Sequence, residues 1–306
     1  MAPITTGHES AIHVPVLVKE VVFYMEPKPG GLYLDVTLGA GGHSRALLEA
    51  EPRCRIIGLD WDKVSIDSYG AELCQEYGDR CKLIWGNFAQ LYAIAKRENI
   101  QGVDGIIADF GTSYMQLSER AGFSFNRDTP LDMRMSPAHQ LVTAEHVVNT
   151  ASEEKLKSIF LQFGQERHAV QIARALVDRR QRKKFRSTLD LAKVVAGVVL
   201  AKDVQRRQIH PATKVFQALR IFVNHELDNI RALLAAAVPL LKPGGRIICI
   251  SFHSLEDRLV KDFYRDQEAR GMGRVVTKKV VVPSEEERKS NPSSRSSKLR
   301  VFERAV

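Results

Sequence analysis

The chain has 306 residues, 44% of them hydrophobic, which supports a large core and excludes wholesale disorder. The apolar runs fall short of the roughly 18 residues that a membrane helix needs, and the N-terminus carries no secretory signal, so we expect a cytoplasmic protein without membrane contact. The net charge of +9 favours a polyanionic partner.

The four cysteines carry no recognisable metal or disulfide pattern. Cys54, Cys74, Cys81 and Cys249 lack any C-x-x-C spacing. We therefore predict four reduced, buried thiols and no metal site.

The first third of the chain alternates short apolar runs with helical patterns. Strands are predicted at 31–36, 54–60, 81–87 and 103–111, with helices between them. This alternation predicts a parallel, doubly wound α/β sheet.

A glycine-rich loop, LDVTLGAGGHS, follows the first predicted strand and opens a helix. Gly39, Gly41 and Gly42 permit close approach of a ligand, and the helix N-terminus adds N–H donors. Asp60 lies nineteen residues after Gly41, at the end of the second strand, where a carboxylate can accept both hydroxyls of a ribose. The loop therefore predicts a nucleotide-type cofactor.

Two cofactors compete for this loop. A dinucleotide fingerprint needs a glycine where Ser44 stands. Asp35, four residues before Gly39, instead gives the D-x-G-x-G-x-G pattern of S-adenosylmethionine sites, with Thr37 in the first glycine position. We favour S-adenosyl-L-methionine, with a nicotinamide cofactor and a purely structural turn as alternatives.

Two further residues follow predicted strands. Phe88, after the third strand, can flank an adenine, although a lone phenylalanine is more often core. Asp109 ends the fourth strand, at the sheet edge where open α/β folds bind ligands.

After Gly111 the strand–helix rhythm stops and helical patterns dominate to about residue 241. Strands return at 242–252, 274–283 and 298–305. We predict an α/β domain in two parts, 1–112 and 213–306, with a mostly helical insert at 113–212 between them.

Positive charge is concentrated in two segments. Residues 151–220 hold 16 Lys and Arg against 6 Asp and Glu, a net of +10, and residues 271–306 have a net of +5. The run RRQRKKFR, with Lys183, Lys184 and Arg186, is expected to contact RNA phosphate, the alternative being a solvated helix face.

The irregular stretch GFSFNRDTPLDMRMS (122–136) mixes aromatic residues with charges. Phe123 and Phe125 could stack on a base, and Arg127 and Arg134 could contact phosphate. We predict a wall of the acceptor and cofactor pocket, the alternative being a packed connector.

Seven motifs occur in order along the chain: TLGAGGHS, DFGTSYMQLS, GFSFNRDTPLDMRM, GQERHAVQIARALV, HPATKVFQALRIFVNHEL, KPGGRIICISFHSLEDRLVK and NPSSRSSKLRVFER. Together they resemble the RsmH (MraW) family, methyltransferases of cytosine N4 in bacterial small-subunit ribosomal RNA. The resemblance covers nearly the whole chain.

The resemblance implies a class I (Rossmann-like) S-adenosylmethionine-dependent methyltransferase fold with a mostly helical inserted domain that helps to hold RNA. It implies a target cytidine in the decoding centre (P site) of 16S-type ribosomal RNA, within the small ribosomal subunit, and a homodimer is one expected assembly. The cofactor positions implied by the family are Gly41, Gly42, His43, Asp60, Phe88, Asp109 and Gln116.

The chain departs from the family pattern at the acceptor side. Phe110 and Tyr114 change the usual D-L-G-x-S-S, Ala121 replaces the arginine before G-F-S-F, and NPSSRSS lacks one arginine. These changes concern the pocket rim and phosphate contacts, not the cofactor positions.

The chemistry requires a nucleophilic N4, whose lone pair is delocalised into the cytosine ring. A carboxylate that accepts an N4 hydrogen would localise that pair, and we assign this role to Asp109. The base must be unpaired or flipped to be reached. His253, after the fifth strand, could orient it, a structural histidine being the alternative.

Three other functions stay open on the sequence alone. They are methylation of another RNA or of a protein, nicotinamide-dependent oxidoreduction, and RNA binding by an assembly factor without activity.

Overall fold

The computed structural model describes residues 15–111, 121–200 and 210–306. A seven-stranded sheet, in the order β3-β2-β1-β4-β5-β7-β6, forms the centre of the molecule. The strands are β1 (Leu32–Asp35), β2 (Arg55–Asp60), β3 (Cys81–Trp85), β4 (Val103–Asp109), β5 (Leu241–Ser251), β6 (Gly273–Val275) and β7 (Lys298–Arg304).

The described helices lie between and beside these strands. They are α1 (Val18–Met25), α2 (Gly42–Ala50), α3 (Ala71–Tyr77), α4 (Leu91–Arg97), α5 (Ala144–Thr150), α6 (Glu153–Gln162), α7 (Ala169–Arg182), α8 (Thr188–Leu200), α9 (Thr213–Asn224), α10 (Glu226–Leu240), α11 (Ser254–Ala269) and α12 (Glu285–Ser290).

Strands β1 to β5 pair in parallel, whereas β7 runs antiparallel to both β5 and β6. The predicted α/β sheet is therefore confirmed, and the strands predicted in the first third of the chain are parallel as expected. The predicted strand 274–283 pairs only at 273–275, with one further bridge from Val281 to Leu299.

Both faces of the sheet are covered, which explains why its strands are nearly continuous apolar runs. In β4, Ile106 and Ala108 pack on the face that carries α4 and α10, and Ile107 packs on the face that carries α1 and α2. Because side chains alternate along a strand, Asp109 lies on the Ile107 face and Phe110 on the other. The two residues therefore point to opposite sides of the same sheet edge.

A separate hydrophobic cluster holds the helices that follow the irregular loop. Phe160, Leu176 and Phe185 are fully buried in it. Helix α9 also packs there, through Val215 and Leu219. The domain boundary predicted after residue 212 remains a prediction. The hydrophobic cluster of the helical part includes residues of α9 and so extends beyond residue 212.

The predicted single helix over 211–241 is two helices. His225 adopts a left-handed conformation, with φ of 51°, and separates α9 from α10. No glycine or proline marks this break in the sequence.

The prediction of four free thiols is wrong for one pair. Cys74, in the middle of α3, and Cys81, the first residue of β3, form a disulfide across the short turn Gly78–Arg80, with Cα atoms 4.9 Å apart. Cys54 and Cys249 are free and buried.

Among the described helices, none combines the length and the apolar character needed to span a bilayer.

Candidate active site

The loop after β1 is organised around a buried carboxylate. Asp35 Oδ1 accepts the backbone N–H of Thr37 at 3.2 Å, and Oδ2 accepts the hydroxyl of Ser44 at 2.8 Å. Burial raises the pKa of Asp35, with His43 and these hydrogen bonds opposing the shift. Ser44, which occupies the third glycine position of a dinucleotide loop, therefore ties the start of α2 to the acidic residue.

Asp60 supports the same loop from the end of β2. Its Oδ2 accepts the N–H of Gly39 at 2.8 Å, and its Oδ1 accepts the N–H of Asp62 at 2.8 Å. Burial raises the pKa of Asp60 to about 7, against the effect of these two hydrogen bonds.

The three loop glycines serve different purposes. Gly39 has φ of 53°, and among the described residues a Cβ built there would have only the Thr37 carbonyl oxygen within 4 Å, at 3.8 Å, so the loop stays open toward the pocket. Gly41, with φ of 77°, precedes α2. At Gly42 a Cβ would lie 2.5 Å from Pro15 Cγ, so this glycine allows close packing of α2 against the chain before α1.

Asp109 ends β4 beside His43. The Nε2–H of His43 donates to the Val16 carbonyl oxygen at 2.8 Å, and its Nδ1 lies 3.9 Å from Asp109 Oδ2. Asp109 Oδ1 is buried and makes no hydrogen bond to any described residue. Burial raises the pKa of Asp109 to about 6, with Asp35 adding to the shift and His43 opposing it.

Thr37 connects the two acidic residues. Its backbone N–H donates to Asp35, and its hydroxyl accepts the backbone N–H of Asp109 at 2.7 Å. Two neighbouring strand ends are therefore fixed to each other at the sheet edge.

A cavity opens at this edge, with about 670 Å³ of space that includes part of the open solvent at its mouth. Its lining includes Thr37, Gly39, Asp60, Trp61, Ser65, Phe88, Phe110, Gly111, Met135, Glu226, Asn229, Ile230 and Glu256. One end combines the predicted ribose acceptor Asp60 with the ring of Phe88, which lies 6.2 Å from that of Phe110. Aromatic rings beside an acidic residue and an open glycine loop fit a cofactor with an adenosine part.

The starts of α10 and α11 contribute a polar wall to the cavity, which includes Glu226 and Glu256. Arg220 donates two hydrogen bonds of 2.8 Å to Glu226. Glu256 Oε2 accepts the N–H groups of Phe252 and His253, at 2.8 and 3.3 Å. The ligand-type atoms of Glu226, His253 and Glu256 all lie within 4.8 Å of one another, and the nearby positive charge is the guanidinium of Arg220.

The segment 122–136 is more firmly packed than its sequence predicted. Phe123 is only 8% exposed. The ring of Phe125 stacks on His210 at 4.4 Å and meets Phe216 edge-on. Arg134 pairs with both carboxylate oxygens of Asp132 and also donates to the Gln140 carbonyl oxygen. Met135 reaches the cavity, so this segment does form part of its wall.

The basic run lies beside that segment. The N–H of Leu131 donates to the carbonyl oxygen of Arg186, and the Thr188 hydroxyl donates to that of Arg127. Lys183, Lys184, Arg186 and Arg127 are all exposed. These cations therefore share one region of the surface. Tyr114 and Gln116 lie outside the described residues.

The sequence did not point to Glu226, Glu256 or Arg220. One local signal was available: the run H-S-L-E places Glu256 three residues after His253, the spacing of a capping box, and the structure shows that box. Nothing local relates Arg220 and Glu226 to these two residues.

Comparison with known proteins gives consistent matches. The model of the MraW methylase family matches residues 10–305. A curated ribosomal RNA small subunit methyltransferase H from Carboxydothermus hydrogenoformans is 45% identical over 308 residues, covering 95% of this chain and 97% of that protein. The protein of the same name from Bradyrhizobium diazoefficiens is 44% identical, covering 96% and 92%.

Among solved structures, an rRNA methylase from Streptococcus thermophilus matches 94% of this chain and 95% of its own, with a TM-score of 0.42 and 9% sequence identity. This distant likeness carries no conclusion about function.

Proposed function

Because the chain belongs to the MraW methylase family, we propose that it transfers a methyl group from S-adenosyl-L-methionine to the exocyclic N4 of a cytidine in the decoding centre of small-subunit ribosomal RNA. The coarser statement, that it is an S-adenosylmethionine-dependent methyltransferase of ribosomal RNA, follows from relatives that match almost the full length. The nicotinamide alternative does not agree with this family.

One observation carries the finer proposal: Asp109 places a buried carboxylate oxygen without a hydrogen-bond partner among the described residues at the end of β4. An unpaired buried acceptor is costly, so an N–H group from a bound molecule is its natural partner. The exocyclic amine of cytosine offers two such hydrogens. Asp109 would accept one, localise the N4 lone pair and then take up the released proton.

S-adenosylmethionine supplies an electrophilic methyl group when bound. Asp35 suits its ammonium group, Asp60 its ribose hydroxyls, and Phe88 its adenine ring, with Gly39, Gly41, Gly42 and His43 shaping the loop and Gln116 implied by the family pattern. His253, at the start of α11, is proposed to orient the base.

Phe125, Arg127, Lys183, Lys184 and Arg186 are proposed to contact the RNA around the target, and the hydrogen bonds that join the segments of Arg127 and Arg186 support this. Roles proposed for Phe123 and Arg134 are more indirect, since the first is buried and the second is held by Asp132. The assembled small subunit as substrate, a homodimer and a cytoplasmic location remain predictions.

The direct test is methyl transfer to unmodified small ribosomal subunits, with labelled donor and mass spectrometry of the nucleosides. The proposal expects a methyl group on cytosine N4, and transfer to another atom or base would contradict it. Asp109→Ala should reduce turnover at least about a hundredfold, the scale of a lost general base. Unchanged turnover in this variant, with Glu98→Ala at the end of α4 as control, would remove Asp109 from the reaction.

A further inference from the structure

The polar wall of the cavity contains a second pair of buried atoms that lack partners. Glu256 Oε1 and His253 Nε2 make no hydrogen bond within the described chain, although they lie only 3.3 Å apart. Glu256 is 1% exposed, yet it lines the cavity. Two adjacent unpaired polar atoms at a cavity wall indicate a missing ligand.

The hydrogen bonds around the pair define which atom donates and which accepts. His253 Nδ1 accepts the backbone N–H of Glu256 at 3.4 Å, so in the neutral ring the proton lies on Nε2. Burial, together with the charge of Arg220, lowers the pKa of His253 to about 3, which keeps the ring neutral. The 3.3 Å contact is therefore not an ion pair.

On the other residue, Oε2 is already engaged by two backbone N–H groups, which leaves Oε1 free to accept. Burial raises the pKa of Glu256 to about 7, and Arg220 opposes this by favouring the carboxylate. Glu256 Oε1 and His253 Nε2–H together form an acceptor beside a donor.

We propose that Glu256 and His253 bind the amidine edge of a nucleobase, with Oε1 accepting from the exocyclic amine and Nε2–H donating to the adjacent ring nitrogen. This inference rests on the proposed function for its substrate. Cytosine presents this edge as N4–H and N3, and adenine presents it as N6–H and N1. Uracil and guanine present the opposite order, an oxygen beside a ring N–H, so the pair would reject both.

The position of the pair fits the acceptor base. It follows β5, which neighbours β4 at the sheet edge, so the pair belongs to the strand end beside the one that carries Asp109. Because both atoms of the pair are buried, the base edge would displace neighbouring side chains on entering, and the hydrogen bonds formed there would be shielded from water.

The substitution Glu256→Gln removes the acceptor at Oε1 but preserves the hydrogen bonds that the side chain makes to the backbone. The amide oxygen can keep the two backbone hydrogen bonds, which forces the amide N–H₂ into the position of Oε1. A donor then faces the exocyclic amine. His253→Asn provides a second variant, because asparagine is a favourable N-cap for α11 but lacks Nε2–H. Glu268→Gln, on the same helix and exposed, is the matched control.

Two measurements on the full chain identify the base. The affinity for S-adenosylmethionine is measured by calorimetry, and single-turnover methylation is measured on small subunits at saturating donor. If the pair binds the target cytosine, the second-order rate constant for single-turnover methylation of subunits falls at least about tenfold in both variants. The affinity for the donor then stays within about twofold of wild type. If it binds the adenine of the donor, donor affinity itself falls at least about tenfold.

The inference would be overturned if Glu256→Gln and His253→Asn both showed the methylation rate and the donor affinity of the wild-type protein. Melting temperatures would confirm that both variants are folded. A failure of the proposed function looks different: the wild-type protein itself would leave cytosine N4 unmodified. The calorimetric comparison still tests in that case whether the pair binds the adenine of the donor, since it needs no RNA.

Discussion

At the scale of single residues, the acidic groups of the site differ in which part of the cofactor they are expected to meet. Asp35 and Asp60 suit the ammonium and ribose, which S-adenosylmethionine and S-adenosylhomocysteine share. Asp109, whose pKa burial raises to about 6, is proposed to face the positive sulfonium of the donor, and only its ionised form attracts that charge.

We therefore expect the affinity for S-adenosylmethionine to rise by up to about tenfold between pH 5 and pH 7.5, as Asp109 loses its proton. S-adenosylhomocysteine, whose sulfur is neutral, should gain less over the same range. Calorimetric titrations of both ligands across this range measure the difference. Asp109→Asn should abolish it, and equal pH dependence of the two ligands in the native protein would contradict the assignment.

The same residues show how far the sequence predicts the site. Asp60 and Asp109 were predicted because each ends a strand, and parallel strands bring their carboxyl ends to one edge. Asp35 was predicted from its spacing to the glycine loop. Glu256 and Arg220 were not, because their roles depend on how α9, α10 and α11 meet beside β5. The relative arrangement of α9 and α10 depends on the left-handed conformation of His225, which no local sequence signal predicts.

At the scale of elements, Asn224 joins the end of α9 to the loop that forms the cavity wall. Its Oδ1 accepts from the Met135 N–H and the Gln140 amide, both at 2.8 Å, and its Nδ2 donates to the Met133 carbonyl oxygen at 2.8 Å. Asn224 is 1% exposed, so these hydrogen bonds are shielded from water. Met133 has φ of 62°, a strained conformation for this residue that the contact to its carbonyl helps to hold.

Asn224→Ala should lower the free energy of unfolding by about 2–4 kcal/mol, because it leaves several buried polar groups without partners. Chemical denaturation measures this loss. Gln101→Ala, at an exposed position, is the control and should change stability by less than about 0.5 kcal/mol. A loss in Asn224→Ala as small as the control's would show that the loop does not depend on this residue.

The prediction of secondary structure succeeded where a single hydrophobic pattern determines whether a segment is a strand or a helix. The strands of the first third were predicted closely because buried parallel strands read as short apolar runs. The disulfide between Cys74 and Cys81 was missed because only the turn Gly78–Arg80, seen in three dimensions, brings the two residues together.

At the scale of the whole molecule, both the distribution of charge and the hydrophobic packing divide the chain into a helical part and a part built on the sheet. The helical cluster contains most of the net +10 of residues 151–220, while the sheet carries the acidic strand ends that form the cavity. Such a division suits a protein in which one part holds a polyanion and the other places a base beside a small cofactor.

RNA affinity should therefore depend on salt through the helical cluster. Replacing both Lys183 and Lys184 by alanine should reduce the slope of log K against log salt concentration by about 1.4, if each lysine neutralises one phosphate of a single strand. Filter binding to a ribosomal RNA fragment, measured at salt concentrations from about 50 to about 300 mM, resolves this change. Lys278 and Lys279, an exposed adjacent pair after β6, give the matched control. An equal loss of slope in the control pair would mean that RNA meets positive charge over the whole surface, and an unchanged slope in Lys183→Ala/Lys184→Ala would mean that the basic run is a solvated helix end.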